Sequence, residues 1–391
     1  MTQAAERDEL RIVGSLSEIP ASQWNALAGT TPLVNHAFLE GLEANGCVSA
    51  RTGWEPCHVT LWRDETLVGA MPLYAKDHSY GEYVFDWAWA DAYRRHGISY
   101  YPKLVCAVPF TPVSGPRLMA RNDEDRRILL AGALTWAERC HASSLHLLFP
   151  SPTVAQACEH AGMLLRKGVQ FHWINPGYRD FEAFLAQLTR EKRKKIRQER
   201  RRVSEQGITF RWLTGAETTE ADWVFFERCY RKTYREHYST PYLNLQFFLH
   251  LAQHLPHNVL LIEACRDGKP IASTFSFIDG RDALYGRNWG AVVDVPLLHF
   301  EACYYQTIEY CIAHGVRRFE GGAGAHGMHK MARGLMPVET YSAHWVADAE
   351  FRRAIGHYLG QEVNGIGQYV DELQERSPYA GRAAPDLRAS E

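Results

Sequence analysis

The residues best suited to chemistry lie between 284 and 334, in LYGRNWGAVVDVPLLHFEACYYQTIEYCIAHGVRRFEGGAGAHGMHKMARG. Tyr285, Arg287 and Trp289, set among glycines, lead into a helix start near Pro296, where unsatisfied backbone amides would hold an anionic or carbonyl group. The second half of the run gathers Gly321, Gly322, Gly324 and Gly327 and closes with His329, Lys330 and Arg333. Glycines permit close backbone approach, and His329 and Lys330 are residue types that transfer a proton or bind a carboxylate or phosphate. The alternative is a glycine-rich loop that caps a strand, with Glu301 and Glu320 pairing with Arg287 and Arg317 for structural reasons alone. Neither GxxxxGK[ST] nor a clean GxGxxG is present, so neither familiar nucleotide loop is expected.

A second concentration, FDWAWADAYRRHGISYYPKLVCAVPFTPVSGPRL (85–118), reads as irregular and is dense in Asp86, Asp91, Arg94, Arg95, His96, Tyr101 and Lys103. A connection of that length is usually functional, which makes it a lid or an acceptor pocket; the alternative is an aromatic-packed connector.

The third feature is electrostatic. REKRKKIRQERRR (190–202) carries nine basic and two acidic residues. Arg190, Lys194, Arg197 and Arg201 fall on one face of a helix, opposite an apolar line through Ile196 and Val203. Like charge at that density repels itself unless an anion neutralises it, so Lys192, Arg193, Lys194, Arg197 and Arg201 form a polyanion- or phosphate-binding face; the alternative is a solvated face balanced by distant carboxylates. Phosphate contact of this kind is sequence-blind and salt-sensitive.

No GxSxG elbow, HExxH or recognisable nucleophilic cysteine appears, which leaves direct transfer with acid/base assistance. The nine cysteines are scattered and contain no CxxC, so no metal site and no disulfide framework is expected, only reduced thiols.

The elements that must position these residues come from a duplication. HVTLWRDETLVGAMPLY (58–74) matches VLLIEACRDGKPIASTFSF (259–277): a strand, an Arg-Asp turn, and a second strand, with Arg63-Asp64 and Arg266-Asp267 lying 203 positions apart. An apolar-periodic helix precedes each hairpin (36–46 and 245–255). A Trp-containing strand follows each (Val84–Trp89 and Ala283–Trp289), then a long helix and another strand. Helix, hairpin, strand, helix, strand is an α+β mixed-sheet unit flanked by helices. The expected domains are 8–178, the acceptor side, and 179–365, the donor side with the basic helix 190–202, followed by a flexible tail at 375–391.

Over its 391 residues the chain has 43 Lys+Arg against 45 Asp+Glu and is 46% hydrophobic, which excludes a disordered chain and a wholly basic nucleic-acid binder. No apolar run reaches about 18 residues and the N-terminus lacks a signal-peptide pattern, so a cytoplasmic protein without a membrane span is expected.

FDWAWADAYRRHGISYYPKL, VPFTPVSGPRL, SSLHLLFP, QFHWINPGY, REKRKKIRQERRR, LYGRNWG, LHFEACYYQTIEYCI and HKMARG together resemble the bacterial FemAB-like family of tandem GNAT-fold proteins, linked to peptidoglycan biosynthesis or recognition, over about residues 20–365. The resemblance implies two GNAT-like domains and an acyl- or aminoacyltransferase. Its donor would be aminoacyl-tRNA, with coenzyme A thioesters as the alternative, and its acceptor an amine on a small molecule or peptide. No bound cofactor is implied. A non-catalytic recognition protein of cell-wall precursors is the third reading. In the first, Tyr285, Arg287 and Trp289 line the donor pocket with Glu320 and Arg333 nearby. Asp86, Tyr101 and Lys103 face the acceptor, with Asp86 counted among the catalytic residues. His329 and Lys330 handle the proton and bind a carboxylate. The duplication already supplies a pseudo-dimer, so a monomer suffices. One departure stands out: relatives carry a Gly-Ala-Gln-Gly-Glu-His-Lys-like run where this chain has GGAGAHGMHK, with Met328 in place of the Glu; His326 or His329 would substitute, or the substrate differs.

Overall fold

The computed structural model describes residues 8–322 and 327–380. The chain forms two compact units, Met1–Gly168 with Thr340–Gly367, and Val169–Glu339 with Gln368–Glu391. The units are thus drawn differently from a simple split at 178/179, because residues 340–367 return to the first.

The first unit contains β1 (Asp8–Val13), β2 (Trp54–Pro56), β3 (His58–Arg63), β4 (Thr66–Met71), β5 (Leu73–Lys76), β6 (Lys103–Cys106), β7 (Met119–Ala120), β8 (Ser144–Leu148) and the start of β9 (Leu164–Ile174). Strands β1, β3, β4 and β7 pair antiparallel in that order, while β2, β5, β6 and β8 form a second layer in which β6 and β8 run parallel. Pro72, with no N–H to donate, separates β4 from β5 where the chain changes sheet. Helices α1 (Ala21–Ala28), α2 (His36–Ala44), α3 (Trp87–Arg95), α4 (Asp123–Arg139) and α5 (Pro152–His160) complete the span. Val59, Leu61, Leu104, Leu129, Ala133, Leu145 and Leu147 lie in its main core.

The strand expected at Val84–Trp89 is instead the approach to α3. Trp89 and Tyr93, four apart, are buried beside Tyr100 and Ile355, while Asp91, Arg94 and Arg95 pair with one another on the outside. That is helical spacing, which the short alternation of FDWAW had imitated. The stretch 85–118 is accordingly less irregular than expected, since it contains both α3 and β6.

The second unit contains α6 (Phe181–Gln187), α7 (Arg190–Ser204), β10 (Ile208–Thr214), α8 (Glu220–Glu236), α9 (Leu245–His254), β11 (Val259–Arg266), β12 (Lys269–Asp279), β13 (Ala283–Ala291), a helix made of α10 (Leu298–Phe300), a π-helical turn (Glu301–Tyr305) and α11 (Gln306–His314), then β14 (Arg318–Glu320) and α12 (Met328–Met331). Its strands order as β10, β11, β12, β13, β14 and β9, antiparallel except for the β13–β14 pair. Trp223, Phe226 and Phe248 of α8 and α9 pack on Phe275 of one sheet face. Leu284 and Phe319 join Tyr304, Ile308 and Cys311 on the other. Two last elements follow: β15 (Met336–Val346), which pairs with β8, and α13 (Ala349–Glu375). Past α13 the chain stays packed as far as it is described: Tyr379 is buried and donates to the Gly334 carbonyl at 2.8 Å. The rest of the expected tail, 381–391, lies outside the described residues.

The duplication is visible in detail. Asp64 and Asp267 turn their hairpins with φ of 54° and 53°. Each hairpin slips register at the same place, between Leu61 and Trp62 and between Ala264 and Cys265, again 203 positions apart. Gly290 fixes how closely α8 approaches β13: a Cβ there would lie 2.3 Å from the Cys229 carbonyl oxygen, a backbone atom that no rotamer can move. Gly290→Ala is therefore expected to lower stability by about 1–3 kcal/mol in urea unfolding, as overpacking does.

Candidate functional site

The second unit has a fork in its sheet. β13 and β14 pair over only three positions, ending at Tyr285 and Glu320. The cause is a bulge: Phe275 faces Asn288 and Ser276 faces Gly286, leaving Arg287 as the extra residue on β13. A bulge bends its strand, and here the bend opens the edge of β13 that β14 no longer covers. A cavity of about 120 Å³ fills the opening, with Gly286, Arg287, Asn288 and Trp289 on one side, Phe319 and Gly321 on another, and His299, Cys303, Tyr304 and Thr307 from the helix above. Gly286 is needed here, because a Cβ would stand 3.0 Å from the Phe319 ring. The π-helical turn lies directly over the cavity, and such turns recur at functional sites.

Of the residues singled out from sequence, Arg287 and Trp289 line this cavity. The Tyr285 side chain lies on the opposite face of the strand, its hydroxyl 3.5 Å from Asp279 Oδ2 and its pKa raised by burial and by Glu320. Glu320 is also on that face, 4% exposed, with Arg318 Nε 3.0 Å from Oε1. Burial pushes its carboxyl up to about 7 against the pull of Arg318. His329 places Nε2 3.2 Å from the Tyr304 hydroxyl, which connects it to the cavity wall. Lys330 is turned to structural use: its ammonium donates to the carbonyls of Gly321 (2.7 Å) and Gly322 (2.9 Å), and burial lowers its pKa to about 8. Arg333 donates to Glu199 at 2.8 Å and to the His329 carbonyl at 2.7 Å, and lies over the Phe300 ring. His326, Gly324 and Ala325 lie outside the described residues.

Three groups here were not picked from sequence. His299 lines the cavity with its pKa lowered to about 4, chiefly by burial, with His329, Arg333 and Lys330 acting in the same direction. Tyr304 links the cavity to His329. Glu199 is the buried acid of the basic helix, taken by Arg333 and by the Tyr305 hydroxyl at 2.5 Å. Its signal was available, since it falls on the same line as Ile196 and Val203.

On α7, Lys194, Arg197 and Arg201 are exposed, and Lys192 and Arg193 are half-buried. Arg197 pairs with Glu182, Arg201 with Glu205 at 3.5 Å and Lys192 with Glu191 at 3.8 Å. Arg200 is held by Glu301 (3.0 Å) and Glu309 (2.6 Å), which joins α7 to the π-helical turn. Arg190, Lys194, Lys195 and Arg202 make no ion pair among the described residues, so the net positive face is real.

In the first unit, Asp86 and Lys103 are buried together. Lys103 donates to Ser79 Oγ (2.8 Å), Glu82 Oε2 (2.8 Å) and Asp86. Tyr101 is half-buried with its hydroxyl 2.9 Å from Ser79 Oγ. No group of three or more His, Cys, Asp or Glu among the described residues is arranged to hold a metal ion, and no described helix is long and apolar enough to cross a membrane.

A two-unit α+β chain of mixed sheets flanked by helices, with a bulged strand parting from a parallel neighbour in its second unit, is a tandem GNAT-like architecture. The chain belongs to the FemAB-like family, described as peptidoglycan biosynthesis/recognition, which it matches over residues 15–381. It is similar in structure to FemX (TM-score 0.55, 12% identity, covering 86% of this chain and 98% of that one). It is equally similar to the C-terminal DUF2156 domain of an Agrobacterium fabrum protein assigned as a lysylphosphatidylglycerol synthetase (TM-score 0.55, 11% identity, 87% and 96% covered). L-PGS from Bacillus licheniformis follows (TM-score 0.50, 10% identity, 82% and 95% covered). At such identities the likeness establishes fold alone. No curated protein matches the chain significantly.

Proposed function

We propose that the chain is a Fem-type aminoacyltransferase that moves an aminoacyl group from aminoacyl-tRNA onto an amine of a small-molecule or peptide acceptor. The observation that carries this reading is the helix start beside the fork. A coenzyme A donor needs a cradle for its diphosphate there, built from clustered free amides and positive charge. In this chain the turn into α10 contains Asp294 and Pro296, and Leu297 takes a φ of 70°. The adjoining cavity, about 420 Å³, has Glu236 and Asp294 in its wall, and its one lysine, Lys232, is paired to Glu236 at 2.5 Å. A diphosphate would meet carboxylates. The positive charge of this unit sits on α7 instead, suited to the spaced phosphates of an RNA backbone.

In this reading the ester carbonyl lies in the fork with its oxygen toward the uncovered edge of β13, where backbone amides stabilise the charge of the tetrahedral intermediate. Tyr304, with His329 behind it, supplies the proton for the departing ribose oxygen. Lys330 shapes the strand end through the two glycine carbonyls. The family description supports an acceptor of peptidoglycan-precursor type, and the first unit would receive it, with Lys103 and Asp86 holding the segment 79–86 in place.

The test is a donor comparison. Charged tRNA and coenzyme A are titrated at low and raised salt against wild type and against a variant with Arg190, Lys194, Lys195 and Arg202 changed to Gln. Since each lost phosphate contact reduces the slope of log K against log salt by roughly 0.7–0.9, the variant is expected to bind tRNA at least tenfold more weakly, with a slope shallower by about 3. Saturable binding of coenzyme A with none of tRNA would overturn the reading.

A further inference from the structure

We propose that Thr274 is a specificity-determining residue of the fork: its hydroxyl selects a donor whose transferred group is small and carries a side-chain hydroxyl, of the seryl type. The inference rests on the aminoacyl-transfer reading and names the substrate class of that same cavity.

Register places the residue. Thr274 on β12 stands opposite Trp289 on β13, and residues opposite each other in a ladder share a sheet face. The Trp289 ring meets the His299 ring at 5.5 Å between centres, so this is the face beneath α10 and the π-helical turn. Phe275, one residue on, points the other way, into the aromatic cluster of α8 and α9. Thr274 accordingly lies in the cavity wall together with Ser276, two positions along on the same face. Between this pair and the uncovered edge of β13 stands Gly286, opposite Ser276. Having no side chain, Gly286 leaves a path across β13 from the edge toward β12. That path is one strand spacing, about 4.8 Å, which a hydroxymethyl group and one hydrogen bond of about 2.8 Å together cover.

The Thr274 hydroxyl points to a ligand because the fold leaves it unused. Thr274 is 3% exposed, and its Oγ1 is buried with no hydrogen-bond partner among the described residues. A threonine oxygen donates one hydrogen bond and accepts two, and burying it with none of them made costs the full desolvation of the group. The other threonine of the wall, Thr307, is satisfied by the Ala302 carbonyl at 3.3 Å. A strand position that served packing alone would be filled by valine, which has the same shape without that cost.

The rest of the wall decides which group completes Thr274. No carboxylate lines the fork cavity; Arg287 does, and His299, kept neutral by burial, adds no negative charge. An ammonium would lack a counter-ion there, so neither the α-amino group of the donor nor a lysyl-type side chain belongs in it. At about 120 Å³, against roughly 30 Å³ for each water of the liquid, the cavity admits only a few heavy atoms. A neutral hydroxymethyl group meets both limits, and its O–H exchanges a hydrogen bond with Thr274 Oγ1. An alanyl group fits but leaves Oγ1 unpaired, and a phenylalanyl group does not fit. Rejecting an analogue by the hydrogen bond it fails to make is the stronger of the two devices, since a difference in apolar bulk discriminates weakly.

The test uses stable donor analogues, 3′-aminoacylamido-3′-deoxyadenosines carrying seryl, alanyl or phenylalanyl groups, titrated against the full chain by calorimetry. Wild type is expected to bind the seryl analogue at least about tenfold more tightly than the alanyl one, the scale of one buried hydrogen bond left unmade, and the phenylalanyl one more weakly than both. Thr274→Val should erase the seryl preference while keeping alanyl affinity, and Thr274→Ser should retain the preference. Urea unfolding of the protein alone gives a second arm. Because Thr274→Val removes an unpaired hydroxyl, its midpoint should equal or exceed that of wild type; a lower midpoint would show the hydroxyl already used within the fold and would overturn the inference. Equal affinity of wild type for the seryl and alanyl analogues, or a seryl preference that survives Thr274→Val, would overturn it and leave the aminoacyl-transfer reading standing. Binding of none of the analogues would overturn it as well, and the reading itself then stands or falls on whether charged tRNA binds.

Discussion

Lys103→Met is expected to destabilise the first unit by about 3–5 kcal/mol, the scale on which breaking a buried ion pair from one side destabilises a fold. Lys103 is 0% exposed and satisfies Ser79, Glu82 and Asp86 at once. The Tyr100 hydroxyl donates to Asp86 at 2.6 Å and lies 3.2 Å from His146 Nε2, and His146 meets His344 Nδ1 to Nδ1 at 2.7 Å. One ammonium thus holds together two carboxylates at the head of a buried polar chain. Burial raises the Glu82 carboxyl to about 7 even with Lys103 present; it also acts to raise Asp86, but there Lys103 and His146 win and hold the group well below the usual carboxylate range. Without the lysine both carboxyls rise. A group whose folded pKa is raised loses stability as pH climbs through that pKa, so the deficit should be smaller at pH 5.5 than at pH 8. Adding Glu82→Gln and Asp86→Asn to the variant should recover most of the loss. Urea unfolding followed by circular dichroism at the two pH values checks this. A deficit under about 0.5 kcal/mol, the range of an ordinary surface substitution, would show that Lys103 holds nothing in place.

That cluster also shows what a sequence of this kind reveals and what it conceals. Asp86, Tyr101 and Lys103 stand out by type, and all three do meet at Ser79 or around it. Their burial is not legible, because nothing local says that the charges of 79–86 turn inward while Tyr80, Phe85 and Trp87 turn out. The duplicated hairpin was readable because its Arg-Asp turn and the two short strands beside it are local, encoded within a few residues each. The helix α3 was not, since the five alternating residues of FDWAW fit period two as well as they fit a helix. The fork was half legible: glycines and Arg287 mark it, but the bulge that opens it is a property of β13 against β12. Partnerships across long separations were out of reach. His172 meets Glu320 from 148 positions away, and the return of 340–367 to the first unit depends on β15 pairing with β8.

Arg333 is where the two readings of a conspicuous residue separate most sharply. By type and position it looks like a ligand for a substrate carboxylate or phosphate. In the structure it is 3% exposed and already occupied. It donates to Glu199 on α7 at 2.8 Å and to the His329 carbonyl at 2.7 Å, and its guanidinium lies 3.5 Å from the centre of the Phe300 ring. It therefore ties the basic helix, the π-helical turn and α12 into one assembly. Arg333→Met should cost about 3–5 kcal/mol, because Glu199 would be left as a buried acid with only the Tyr305 hydroxyl. Arg333→Lys should recover little, since an ammonium cannot reach Glu199 and the His329 carbonyl while stacking on Phe300. The deciding measurement is a double-mutant cycle in unfolding free energy. If Arg333 works through Glu199, the pair Arg333→Met with Glu199→Met is expected to be at least about 2 kcal/mol more stable than the sum of the two single losses, as residues in one buried network couple by up to about 3 kcal/mol. Additive losses, or Arg333→Met at wild-type stability but with weakened donor binding, would return the residue to the substrate. Coupling would place it with Lys330, a cation employed in holding the fork's walls while Arg287, Trp289 and Tyr304 face what enters.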